Sequence, residues 1–136
     1  MKNPPLILIA DDDSDFKEIL SAKLLAAGYQ IAEANDGAEA ITKAKSLIPD
    51  LIIMDIQMPN VNGTEAVLEL KHTPETKDVR IAFFSSLIYP WPGIKADNPE
   101  FAKELGAVTF MRKGDDLDSI VTTIKSMLAA PGPAAQ

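Results

Sequence analysis

The sequence predicts an α/β domain, a doubly wound five-stranded parallel sheet with helices on both faces. Three observations predict it. Apolar runs of strand length recur five times, segments of helical period separate them, and the runs are nearly continuous in apolar residues rather than alternating. Strands buried on both faces read that way. A chain of 136 residues suits a single domain, one that buries roughly 68–70% of its unfolded surface at that size. We assign residues 1–130 to this domain and 131–136, "PGPAAQ", to a flexible C-terminal tail.

The strand-like runs are Leu6–Ala10, Gln30–Ala34, Leu51–Met54, Arg80–Phe84 and Val108–Met111. After the first, Phe16, Ile19, Leu20, Leu24 and Ala27 fall on one helical face, with Ser14 and acidic Asp15 and Glu18 suiting the start. Asp13 is the expected cap, and Gly28 the stop. The second helix opens at Asp36 with Glu39 three residues on, a capping-box pattern, and closes before Pro49. Ile41, Ala44 and Ile48 are expected to face inward. A short third helix spans about Thr64 to Lys71 and gives way to polar "KHTPETKD", where the single histidine, His72, reads as solvated. Asn98-Pro99 opens a fourth helix as a cap followed by proline, and Gly106 closes it. In the last helix Leu117, Ile120, Val121, Ile124, Met127 and Leu128 form the cleanest apolar stripe of the chain.

Charge and composition exclude several functions. A formal net charge of −7 repels phosphate backbones and anionic lipid, so neither nucleic acid nor a membrane surface is an expected partner. The absence of cysteine excludes disulfides, thiolate metal sites and cysteine nucleophiles, and fits a reducing compartment. No apolar run is long enough to span a bilayer, and the first residues lack a signal peptide's length and cleavage site. A cytoplasmic location is the expectation.

In doubly wound sheets, ligands bind beyond the carboxyl ends of the strands. The first strand ends in "ADDDSD", giving Asp11, Asp12 and Asp13; the third ends at Asp55; the fourth ends in Ser85 and Ser86; the fifth ends at Lys113. If the first and third strands are neighbours, at least three carboxylates converge. Two unit charges about 4 Å apart repel by roughly 4 kcal/mol at an effective dielectric near 20, so the cluster calls for a cation. Oxygen donors without histidine or cysteine point to Mg²⁺ or a similar hard ion. A hydroxyl and an ammonium across the same crevice complete a site for a phosphoryl group, with a carboxylate as nucleophile.

"LILIADDD", "LIIMDIQMPNVNG", "IAFFSS", "ELGAVTFMRK" and the closing amphipathic helix together resemble the receiver domain of two-component response regulators, from Leu6 to Leu128. The resemblance implies a flavodoxin-like strand order 2-1-3-4-5. It implies that Asp55 accepts a phosphoryl group from a histidine kinase or phosphotransfer protein, and that Asp12 and Asp55 hold Mg²⁺ together with the backbone carbonyl of Gln57, Asp11 acting through water. Lys113 would pair with Asp55 and then with the phosphoryl oxygens. Ser85 stands where the family binds the phosphoryl group, and Phe110 where an aromatic changes rotamer with it. Gln57 and Leu87 would flank the attacking water, and apolar Leu87 implies slow phosphoryl loss. With the given sequence ending just after the last helix, the expectation is a stand-alone signalling domain that changes its contacts with a downstream protein or passes the phosphoryl group on, rather than a turnover enzyme.

The chain departs from the family in three places, one of them Asn62, where the family more often has Asp and where either residue suits a turn. Gly114 follows the lysine where the family has proline, and the stretch from Ser85 to Lys113 is longer than usual, with the surplus around "LIYPWPGIKADNP". Proline on both sides of Trp91 stiffens that loop, which reads as a partner-recognition element, a lid over the site, or an anchor packed near Phe101. Two other functions compete. A receiver-like module could act without phosphorylation, or "LILIADDDSD" could open a haloacid-dehalogenase-type phosphatase with Asp11 as nucleophile and Asp13 as acid/base. The phosphatase reading leaves Asp55 unexplained.

Overall fold

The computed structural model describes residues 2–56, 63–85, 109–112 and 114–129. Its elements run β1 (Leu6–Ala10), α1 (Ser14–Ala26), β2 (Gln30–Ala34), α2 (Gly37–Leu47), β3 (Leu51–Asp55), α3 (Gly63–Lys71), β4 (Arg80–Ser85), β5 (Thr109–Arg112) and α4 (Leu117–Ala129). The expected helix opening at Asn98 lies outside the described residues, as does the tail. The strands form one parallel sheet in the order β2-β1-β3-β4-β5, with the crossover between β2 and β3 that places β1 and β3 side by side.

Successive positions of β1, β3 and β4 point alternately into two cores, because side chains alternate along a strand. Leu8 and Ala10 of β1, Ile52 and Met54 of β3, and Ile81 and Phe83 of β4 meet Ala40 and Ala44 of α2 and Ala66, Val67 and Leu70 of α3. On the other face Ile7, Ile9, Leu51, Ile53, Ala82 and Phe84 meet Leu20 and Leu24 of α1 and Ile120, Ile124, Met127 and Leu128 of α4. That two-sided burial is why the central strands read as unbroken apolar runs.

Local chemistry sets the helix ends. Asp13 caps α1 by accepting from the Phe16 amide at 3.1 Å. At the other end Gly28 has φ +100°, its amide donates to Leu25 O at 3.0 Å and the Tyr29 amide donates to Leu24 O at 3.1 Å, the paired bonds of a Schellman stop. Asp36 accepts from the Glu39 amide at 2.8 Å. Glu39 reaches back to the amide of Asn35, one residue before the cap, at 3.1 Å.

Three inward assignments fail. Ile19 is 50% exposed and Ala27 lies past the end of α1, exposed, as its C-cap. The buried stripe of α1 is instead Lys17, Leu20, Ser21 and Leu24, because the two polar members find acceptors on β2 and beside it and so can leave water. Ile48 does not face the core either. Pro49 disfavours α geometry in the residue before it, α2 ends at Leu47, and Ile48 turns into the left-handed region at φ 46° with 38% exposure. The stripe of α4 is as expected: Ile120, Ile124, Met127 and Leu128 are buried, and Leu117 and Val121 pack against them. His72 is exposed, with its Nδ1 against Leu68 O at 2.6 Å.

Candidate functional site

Parallel pairing brings the acids together. β1 and β3 pair with Ala10 opposite Met54, so the residues that follow on β1 and the last residue of β3 emerge level at the same edge. Carboxylate oxygens of Asp11, Asp12 and Asp55 all lie within 4.8 Å of one another. Asp11 is 2% exposed and Asp55 5%, whereas Asp12 is exposed. At that separation each pair of charges repels by roughly 3 kcal/mol at an effective dielectric near 20. Three acids in one place, two of them shielded from water, make a strong field for a cation. The donor set is all carboxylate oxygen, which fits a small hard divalent ion and not a soft one.

The backbone around the cluster is tied on three sides. The Asp11 amide donates to Ala34 O at the end of β2 at 3.0 Å, and Asp11 Oδ1 accepts from the Asp13 amide at 2.9 Å. Asp13 spends its own carboxylate on the start of α1, so it faces the helix and is not a member of the cluster. The end of β3 is bound to β4 through the Ile56 amide and Phe84 O at 3.0 Å, and Phe84 is fixed in turn by an edge-on contact with Phe16 of α1, ring centroids 5.3 Å apart.

Gly63, the first residue of α3, closes the support from beneath. Its amide donates to Ile56 O at 2.9 Å, and a Cβ there would sit 2.2 Å from Asp55 O and 2.9 Å from Ile56 Cα. No side chain fits. Neither Gly63 nor the buried Lys17 stands out in the sequence as a residue of the site. The signal for Gly63 is its place as the residue on which a chain leaving β3 must return; the close approach itself is not written in the spacing.

Of the predicted site residues, the structure brings Asp11, Asp12 and Asp55 together. Ser85 is the last residue of β4, two strands from β1, with its backbone in register with Arg112; its side chain is not among the described atoms. Phe110 lies in β5 opposite Phe83, and its side chain is likewise outside the description. Gln57, Leu87, Trp91 and Lys113 fall outside the described residues. Gly114, which departs from the family's proline, is described and has open space around the position of a Cβ.

The sequence pattern of the Response regulator receiver domain family matches residues 7–125. The chain belongs to that family. The receiver is 31% identical over 123 residues to Protein PilH of Pseudomonas aeruginosa, covering 90% of this chain and 97% of that one. It is 32% identical over 131 residues to Transcriptional regulatory protein PrrA of Mycobacterium tuberculosis, covering 96% of this chain and 53% of PrrA, so it spans about half the length of that relative. Among solved structures it is similar to response regulator TrrA of Thermotoga maritima, determined in complex with Mg²⁺-BeF, at a TM-score of 0.73 and 28% identity, covering 90% of this chain and 98% of that one. The flavodoxin-like order expected from the motifs is the order of the receiver's sheet. Among the described residues, no helix is long and apolar enough to cross a membrane.

Proposed function

We infer that this receiver takes a phosphoryl group on Asp55 from a histidine kinase or phosphotransfer protein and signals by changing its contacts with another protein. The observation that carries the reading is the meeting of Asp55 with Asp11 and Asp12 within 4.8 Å at the carboxyl ends of β3 and β1. An Asp55 carboxylate oxygen attacks the phosphorus of the donor; the new P–O bond forms as the P–N bond to the donor imidazole breaks, and the imidazole leaves with the electron pair.

Asp11, Asp12 and Asp55, with the Gln57 carbonyl, are the groups that would hold Mg²⁺, the ion named with TrrA. When bound, the ion neutralises carboxylate repulsion and the oxygens of the transferring group. The chain's own residues do the rest. Asp11, held at both its amide and its carboxylate, keeps the acids converged. The Gly63 contact fixes the backbone of the nucleophile. In this reading Lys113 neutralises phosphoryl oxygens and the Ser85 hydroxyl receives one. Phe110 and the Trp91 loop carry the change to the partner surface, and Leu87 obstructs the water that would hydrolyse the acyl phosphate. The receiver is a stoichiometric switch with slow self-hydrolysis, not a turnover enzyme.

Transfer from a phosphoramidate donor tests this. Phosphoryl incorporation should appear with Mg²⁺, vanish with a chelator and vanish in Asp55→Asn. Incorporation that survives the chelator would overturn the metal part of the reading, and a parent that takes no label while folded and Mg²⁺-bound would favour a module acting without phosphorylation.

A further inference from the structure

Lys17 is a charged residue buried to 2% exposure on the inner face of α1. Among the described residues no carboxylate lies within ion-pair distance of it. Its Nζ donates instead to Ala34 O, at 3.5 Å, and to the side-chain oxygen of Asn35. An ammonium so far from water is retained only where its hydrogen bonds are satisfied, so the position needs a reason.

The reason lies in what Ala34 O also holds. That carbonyl accepts the Asp11 amide at 3.0 Å. Asp11 accepts the Asp13 amide through Oδ1, and Asp13 O accepts the Lys17 amide at 3.1 Å. The four residues close a ring: Lys17 to Ala34, Ala34 to Asp11, Asp11 to Asp13, and Asp13 back to Lys17. We propose that Lys17 is a positioning residue for the acidic site, its buried ammonium anchoring the end of β2 on which Asp11 hangs and so holding Asp11 and Asp12 in the arrangement that binds a divalent cation. The proposal rests on the reading of the site as a metal-dependent phosphoacceptor.

The sign of the effect separates this role from simple electrostatics. By Coulomb's law alone, removing a positive charge near three carboxylates tightens cation binding. A positioning role predicts the reverse, since losing a group that orients metal ligands typically weakens metal affinity about 10–100-fold.

The test is Mg²⁺ titration by calorimetry on the parent, Lys17→Met, Asn35→Ala and Ser21→Ala, with denaturant unfolding of each. Ser21 is the control: it is buried on the same stripe and bonds Glu33 Oε2 at 2.6 Å, outside the ring. Lys17→Met is expected to weaken Mg²⁺ binding about tenfold or more, Asn35→Ala to weaken it less, and Ser21→Ala to lose stability alone. Parent-like or tighter binding in folded Lys17→Met overturns the proposal. Should that variant not fold, parent-like binding in Asn35→Ala, whose altered residue is exposed, overturns it instead. Equal weakening in Ser21→Ala also overturns it, because the role would then be structural. A parent that binds no Mg²⁺ overturns the site reading itself and this inference with it, a result distinct from the others.

Discussion

The backbone oxygen of Asp55 lies 2.2 Å from the point that a Cβ on Gly63 would occupy. Asp55 is therefore seated directly on the first turn of α3, and the glycine is required by the space rather than by its dihedral angles. Gly63→Ala should force the end of β3 to shift, destabilising the fold by about 1–3 kcal/mol as overpacking does, and should slow phosphoryl incorporation more than stability alone explains. Denaturant unfolding and label incorporation on the same samples check it; a variant with parent stability and rate would show that the loop yields freely.

The two acids at the end of β1 should not be equivalent. Asp11 is buried and its carboxylate accepts the Asp13 amide, while Asp12 is exposed. Asp11→Asn is expected to weaken Mg²⁺ binding and also disturb the amide resonances of Asp13 and Phe16. Asp12→Asn should weaken binding and leave those resonances in place. Nuclear magnetic resonance with Mg²⁺ titration reads both; identical spectra for the two variants would contradict the asymmetry.

Ile48 holds a left-handed backbone at φ 46° while 38% exposed. That geometry costs a β-branched residue roughly 1–2 kcal/mol, of which the flexibility of glycine returns about 0.5–1 kcal/mol to the unfolded state. Ile48→Gly should thus stabilise the receiver by about 0.5 kcal/mol. A lower unfolding midpoint would mean that the contacts of Ile48 outweigh its strain.

Lys71 ties the segment after α3 to its own helix, Nζ donating to Lys77 O at 3.0 Å and Val79 O at 2.9 Å. Burial pushes its amine below the ordinary lysine value of 10.5, opposed by the Asp78 charge. Between the lowered value and 10.5 the unfolded chain binds more protons than the folded one, so stability attributable to Lys71 rises with pH across that window. The difference in unfolding free energy between the parent and Lys71→Gln should therefore grow as pH approaches 10.5; a flat difference would contradict the shift.

Much of this was legible in the residues. Two-sided burial wrote itself into β1 and β3 as unbroken apolar runs, Asp13, Asp36 and Gly28 marked helix ends by their chemistry, and the acids at two strand ends converge because parallel neighbours finish level. What was not legible depended on tertiary partners. Periodicity placed Ile19 inward because it counts only apolar residues, and Lys17 and Ser21 took that face because β2 and Asn35 supply acceptors a helix wheel cannot show. Gly63 was visible as a glycine but not as a seat for Asp55, since that contact joins the end of one element to the start of another.

The most direct measurement is the site of phosphorylation: incubation with Mg²⁺ and a small acyl-phosphate donor, followed by fragmentation mass spectrometry that locates the adduct. A single phosphoryl group on Asp55, absent from Asp55→Asn, is the predicted result. An adduct on Asp11 that persists in Asp55→Asn would contradict the account and move the nucleophile to the end of β1.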